Sequence, residues 1–295
     1  MTVEADLDVL IPTYRRPDAL AVTLAGLANQ TVQGFRVVVA DQTEGRPVTE
    51  AVPVATMLRR LALAGSVIDA RVHRERAGMA EQRQFLLDSA RAGHVLYLDD
   101  DVFLDAATLA RMLAAIRELG CGFVGCAPRG LSYLADQRPA QLAPFEPVDG
   151  PPGPERVRKG QPAWDRWMLH NAANAEHLAA RVDLPERGWL AYRVAWVAGC
   201  VLYDRAALVA AGGFGFWRRL PASHRGEEIV AQLRVMERVG GVGLLPSGAV
   251  HLELPTAVTR RSVDAYATVI EADDREGDDR EADDRESART RRRTA

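Results

Sequence analysis

Three aspartates, Asp99, Asp100 and Asp101, close the apolar run His94-Val95-Leu96-Tyr97-Leu98, and a second run, Val102-Phe103-Leu104, follows them at once. Adjacent carboxylates repel one another and are costly to bury unpaired. The first run therefore reads as a buried strand that must end where the carboxylates begin. A strand end of this kind offers hard oxygen ligands, which Mg²⁺ and Mn²⁺ take together with substrate phosphates. Taken alone, the triplet also reads as a solvated acidic turn.

The chain leading up to it narrows the choice. Leu7 to Ile11 is a short apolar strand, stopped by Pro12 because proline has no N–H for a sheet ladder. A helix starts near Asp18, with Leu20, Leu24 and Leu27 at helical spacing. Phe35 to Asp41 is a β-branched strand ending on a carboxylate. There follow a helical stretch from Ala51 to Ala64, a strand around Val67 to Val72, a helix from Ala80 to Ala92 and the strand that runs into Asp99. Alternating strands and helices predict a mostly parallel, doubly wound α/β sheet with helices on both faces. Such sheets bind ligands at the carboxyl ends of their strands, where Pro12, Thr13, Asp41 and the Asp triplet all fall.

At this point the chain resembles the family 2 glycosyltransferases of GT-A fold. Their usual opening, Ile-Pro-Thr-Tyr-Asn-Arg, reads Ile11-Pro12-Thr13-Tyr14-Arg15-Arg16 here, and further motifs recur in family order from about residue 7 to 254. The resemblance implies that Pro12, Thr13, Tyr14 and Arg16 border a nucleotide-sugar donor. It implies that Asp41 contacts the base or ribose, although Gln42-Thr43-Glu44-Gly45 replaces the usual acidic, Ser-rich continuation. The family's Asn-x-Gly-x-x-x-Ala-Arg-Asn segment appears as Arg76 to Gln84, keeping Gly78 and Arg83 and losing both Asn. Arg83 can turn its guanidinium fork to phosphate or to the acidic cluster, or be a surface helix arginine. Asp99-x-Asp101 matches the family's Asp-x-Asp motif. By that match Asp101 ligates Mn²⁺ or Mg²⁺, Asp99 contacts ribose or metal-bound water, and Asp100 borders the donor or is structural.

Farther on, Trp196 to Tyr203 reads as a strand, followed by a helix through Ala206 to Ala211 and by Gly212-Gly213-Phe214. The family's acceptor-side Gly-Glu-Asp is Gly226-Glu227-Glu228 here, opening a helix whose Ile229, Leu233 and Met236 share one face. Two glutamates in a first turn are favoured by the helix dipole alone. The resemblance assigns Glu228 as general base of an inverting transfer, with Glu227 as runner-up. Pro246 followed by Ala249-Val250-His251 resembles the family's Pro-x-x-x-Val-x-His ending. There His251 completes the metal shell or is an ordinary surface histidine.

Composition bounds the remainder. A chain of 295 residues, 47% hydrophobic and 26% charged, can bury one sizeable core. The expected division is a single domain over 1–265, with a nucleotide-sugar half (1–105) and an acceptor and catalytic half (106–265). A net charge of -3 argues against non-specific nucleic-acid binding. The odd set Cys121, Cys126 and Cys200 without zinc spacing predicts reduced cytoplasmic thiols. No window reaches the ~18 apolar residues of a membrane span. Residues 136–162, rich in Pro and Gly, read as an irregular insertion bordering the acceptor site. Residues 266–295, with Asp-Asp-Arg-Glu recurring at 273, 278 and 283, are expected to be a disordered tail.

The expected activity is thus metal-dependent, inverting transfer of a sugar from a nucleotide-sugar, a UDP-sugar by family habit, to an acceptor hydroxyl. The acceptor, whether glycan, lipid-linked or small molecule, is not readable. Two alternatives stand beside this one. A nucleotidyltransferase would want a Gly-rich phosphate loop after the first strand, which Pro12-Thr13-Tyr14 is not. A non-catalytic nucleotide-sugar-binding protein would bind the donor without turnover.

Overall fold

The computed structural model describes residues 6–256 and 261–277. The first half alternates as the apolar pattern predicts: β1 (Leu7–Thr13), α1 (Pro17–Ala28), β2 (Arg36–Asp41), α2 (Val52–Leu63), β3 (Val67–Val72), α3 (Met79–Ser89) and β4 (His94–Leu98). After β5 (Val102–Leu104), α4 (Thr108–Leu119) leads to β6 (Phe123–Gly125). A long excursion carries β7 (Arg129–Gly130), β8 (Pro147–Val148), α5 (Asn174–Ala179) and β9 (Leu190–Tyr192). The chain then forms β10 (Cys200–Asp204), α6 (Arg205–Ala210), β11 (His224–Arg225), α7 (Glu227–Val239), β12 (Gly241–Leu245), β13 (Ala249–His251) and β14 (Val263–Asp264).

The main sheet has the order β3-β2-β1-β4-β10-β6-β12-β9-β8. Side chains alternate across its strands, as a pleat requires. Val9, Ile11, Val37, Val39, Leu96 and Leu98 pack with α1, α2 and α4 on one face. Leu10, Val38, Ala40 and Tyr97 pack with α3 and α7 on the other. Burying both faces explains why β2 is continuously apolar from Val37 to Ala40.

Several expectations change. β3, β2, β1 and β4 form a parallel block and β12 pairs in parallel with β6, but β10 runs antiparallel to both β4 and β6 and β9 antiparallel to β12. Cys200 lies opposite Leu98, so the excursion delivers β10 at the carboxyl end of β4 and the strand must run back. The strand expected from Trp196 begins only at Cys200, because Gly199 turns the backbone at φ 72° and its carbonyl accepts from the Asp99 N–H at 2.9 Å. Pro12 lies inside β1 rather than ending it, opposite Ala40 and beyond Leu10, where pairing with β4 has already stopped.

The C-terminal segment differs most. Residues 266–277, expected in a disordered tail, are helical, and Tyr266, Val269 and Ile270 bury themselves against the α7 face. Asp273 pairs with Arg219 and Arg234, and Asp274 with Arg156 and Arg158. These charges are partners of a folded surface, so apolar burial and ion pairing together offset the ordering entropy. The rest of the expected tail lies outside the described residues.

Candidate active site

A cavity of about 520 Å³ opens at the carboxyl ends of the parallel strands. Pro12, Thr13 and Tyr14 line it from the end of β1, Gly78 and Arg83 from α3, Asp99, Asp100 and Asp101 from the β4 turn. Gly226, Glu227 and Glu228 come from the α7 side, and Arg16 and His251 complete this set. Residues spread over 240 positions of chain therefore face one volume. Two glycines permit the close turns: Gly78 (φ 110°) before α3 and Gly226 (φ 78°) before α7.

The three aspartates do different work. Asp100 accepts from Thr13 Oγ1 at 2.7 Å and from Arg16 Nη1 at 3.1 Å, and burial pushes its pKa up to about 6. Asp101 accepts from the same Arg16 nitrogen at 2.6 Å, a charge-assisted bond. Its Oδ2 lies 3.7 Å from His251 Nε2, because β13 pairs with β5 and sets His251 opposite Val102. Asp99 turns the other way, towards Arg83 Nη2 at 3.1 Å.

Arg83 ties the two walls together. Its Nε donates to Glu227 Oε1 at 3.2 Å while Nη2 reaches Asp99, and its guanidinium lies 5.5 Å from the centre of the Tyr97 ring. Burial works against the charge, yet Asp99, Glu227 and Glu228 hold its pKa above the ordinary value. Of the openings left by sequence, Arg83 takes the acidic cluster. Glu228 makes no ion pair among the described residues. Burial, and then the neighbouring Glu227 charge, raise its pKa to about 8.

This last shift has a thermodynamic sign. An unfolded glutamate titrates near 4.5, so between about pH 4.5 and 8 the folded chain holds a proton that unfolding releases, and stability falls as pH rises. Glu228→Gln is expected to gain stability relative to wild type progressively from pH 5 to pH 8, read as the difference in melting temperature. A difference that stays flat across that range would show that the carboxyl is not held neutral.

Some expected residues sit elsewhere. Asp41 does not line the cavity; its two oxygens accept the Thr43 N–H at 2.8 Å and the Val48 N–H at 2.7 Å. It shapes the turn after β2, and Gln42 is the residue from that turn facing the cavity. No residue of 136–162 lines the cavity either. That insertion packs by ion pairs instead, Arg158 with Glu237 and Asp274, Arg166 with Glu146 and Glu155. Trp189 is buried, and Trp164, Trp167 and Trp217 are partly buried against the core rather than in the cavity. Sequence reasoning missed His224, Gln82, Leu254 and Arg261, which do line it. A solitary histidine ahead of Gly-Glu-Glu carries no spacing signal.

Whether the donor set suits a divalent ion follows from its chemistry. Among the described residues no three acidic, His or Cys side chains form a ready-made cluster. Asp101 and His251 converge as one oxygen and one nitrogen donor. Mg²⁺ and Mn²⁺ characteristically take few protein ligands and complete their shell with substrate phosphates and water, so this pair fits a site finished by a diphosphate. His251 Nδ1 accepts the Glu253 N–H at 2.8 Å, which puts the neutral ring's proton on Nε2. Ligation through Nε2 would require the other tautomer and release of that contact.

Comparison with known proteins agrees with this architecture. A mannosyltransferase from Pyrobaculum calidifontis, solved with GDP-Man and Mn²⁺, superposes with a TM-score of 0.53 at 16% identity, covering 87% of this chain and 59% of that one. Residues 1–349 of S. aureus TarS in complex with UDP-GlcNAc give 0.53 at 16% identity, covering 85% and 60%. The chain spans about three fifths of these structures, and at such identity the likeness shows the fold, which is GT-A. No curated protein matches the chain. No helix among the described residues is long and apolar enough to cross a membrane. The sequence model of Glycosyl transferase family 2 matches residues 8–161, more than half of the chain, and the chain therefore belongs to that family of glycosyltransferases.

Proposed function

We propose that the chain is an inverting glycosyltransferase that moves a hexosyl group from a nucleotide-sugar to an acceptor hydroxyl, with Glu228 as general base. The observation that carries this reading is the pair of carboxylate sets on different walls of one cavity, Asp99 to Asp101 after β4 and Glu227 with Glu228 at the start of α7. One wall suits a departing diphosphate, and the other suits proton removal from an attacking hydroxyl. A single base on the side opposite the leaving group is what inversion at the anomeric carbon requires.

Glu227 and Glu228 are not interchangeable in this geometry. Glu227 is held by Arg83, whereas Glu228 has no cation of its own and a raised proton affinity near working pH. That combination suits a base, because a catalytic pKa close to ambient pH lets the group both exist ionised and accept a proton. Arg16, Asp101 and His251 gather where the diphosphate would lie, with Asp99 oriented towards Arg83 beside them. Mn²⁺ or Mg²⁺ held by Asp101, with His251 and Asp99 nearby, would supply positive charge against the leaving nucleoside diphosphate. Thr13, Tyr14 and Gln42 form the nucleoside end, with Asp41 shaping the turn behind Gln42. The UDP-sugar assignment rests on the family resemblance. Family membership and the GT-A fold favour transfer over the nucleotidyltransferase alternative.

Two measurements test the reading. Transfer from a panel of UDP- and GDP-sugars is expected with at least one donor, and donor binding without any turnover would instead favour the non-catalytic alternative. Asp101→Asn removes one unit of ligand charge and is expected to abolish the Mn²⁺-dependent part of nucleoside diphosphate affinity in a calorimetric titration. Unchanged Mn²⁺-dependent affinity would take Asp101 out of the metal shell.

A further inference from the structure

His224 takes no part in the chemistry above, yet the two walls of the cavity meet on its ring. The side chain is fully enclosed, and both nitrogens are committed. Nδ1 donates to Pro221 O at 2.7 Å within its own turn, and Nε2 accepts the Ala80 N–H at 3.0 Å, from the first turn of α3. A ring that donates through Nδ1 and accepts through Nε2 is neutral. The acceptor matters because first-turn amides of a helix have no intrahelical partner, and the N-cap of α3 is Gly78, which has no side chain to offer. His224 caps α3 from 144 residues away.

Packing is equally specific. A Cβ placed on Gly78 would lie 2.8 Å from His224 Nδ1 and 3.0 Å from Ala222 O, so the two turns touch without room for a methyl group. From the other side, Glu227 Oε2 lies 3.9 Å from Nε2, and Glu227 Oε1 accepts from Arg83, which continues to Asp99. The start of α3, the start of α7 and the end of β4 are thus joined through one imidazole and one guanidinium.

We infer that His224 is a positioning residue whose cross-turn hydrogen bond sets the separation between the donor-side turn at Gly78 to Ala80 and the turn that carries Glu227 and Glu228. Its kinetic consequence rests on the glycosyl-transfer reading; its structural consequence does not. A misplacement of ~1 Å at a reacting geometry costs on the order of 10²-fold in rate.

Two substitutions separate the bonds. The amide nitrogen of His224→Asn falls near the Nδ1 position and can still donate to Pro221 O, but the side chain is too short to reach Ala80. His224→Gln extends to the Nε2 position and can place a carbonyl oxygen there. Hydrogen exchange of residues 78–82 and 222–228 in the ligand-free chain, together with steady-state transfer, reads the outcome. His224→Asn is expected to speed exchange in both segments, lower kcat by about 10²-fold and raise the donor KM, whereas His224→Gln restores protection and most of kcat. Gly78→Ala crowds the ring from the opposite side and serves if the Asn variant does not fold. Because alanine at φ 110° is itself strained and would loosen 78–82 in any case, it is read at 222–228, where faster exchange is expected and unchanged exchange would overturn the assignment. Unchanged exchange at 78–82 in His224→Asn, or equal impairment of Asn and Gln, would overturn the assignment. If wild type transfers no sugar from any donor, the glycosyl-transfer reading fails, and the exchange comparison still decides the role of His224.

Discussion

Glu228→Gln is expected to slow sugar transfer by ~10²–10⁴-fold while donor affinity stays near that of wild type. The substitution keeps the shape of the side chain and removes its capacity to take the hydroxyl proton at neutral pH. A loss confined to kcat is the signature of a group that acts in the transition state more than in donor binding. Glu227→Gln is the informative partner. Glu227 is bonded to Arg83, so its loss disturbs an electrostatic link across the cavity without removing the base. It should therefore cost less in kcat and more in donor affinity. A reversed pattern, with Glu228→Gln near wild type and Glu227→Gln slow, would exchange the two roles. If neither variant slows transfer, the base is not in this motif. In wild type, kcat/KM should rise with pH on an acid limb governed by Glu228, since burial and Glu227 push its pKa up to about 8. Glu228→Gln should lose that limb.

Much of this arrangement was legible in the chain because the physics behind it is local. Val37 to Ala40 must be a buried strand, Leu20, Leu24 and Leu27 must share a helix face, and three adjacent aspartates must lie at a strand end. The Asp triplet is thus legible as a strand-end candidate from local chemistry, whereas Gly226-Glu227-Glu228 is singled out by its resemblance to the family's Gly-Glu-Asp, since the helix dipole alone would explain two glutamates there. What was not legible depends on partners distant in sequence. Nothing near Asp41 announces that its carboxylate will be taken by the backbone at Thr43 and Val48. His224 acquires its meaning only when α3 is brought against it, and the acidic stretch around Asp273 looks unfoldable until Arg158, Arg219 and Arg234 are seen opposite it. The direction of β10 was hidden for a related reason. A strand's own residues do not encode the end of the sheet at which a long excursion returns it.

Arg83 is where these distant partners converge, and removing it is expected to have the largest effect on stability. Its side chain is 7% exposed and lies between Glu227 at 6% and Asp99 at 36%. Breaking a buried ion pair by deleting one member strands the other charge without water or counter-charge, which typically costs ~3–5 kcal/mol. Arg83→Met keeps most of the apolar stem and its packing near Tyr97 and Phe214, so the loss should be chiefly electrostatic. Because Asp99 is more open to solvent, Glu227 should account for most of it. A double-mutant cycle checks this apportionment: in the Arg83→Met background, Glu227→Gln should recover part of the lost stability, since it removes the stranded charge, while Asp99→Asn should recover less. Arg83→Lys keeps the charge without the planar fork that reaches both carboxylates, and should fall between wild type and Met. Urea unfolding at pH 7 measures all of these. If Arg83→Met unfolds at the wild-type midpoint with an unchanged slope, the buried pairing is not what holds the two walls of the cavity, and the link from Asp99 through Arg83 to Glu227 has no energetic content.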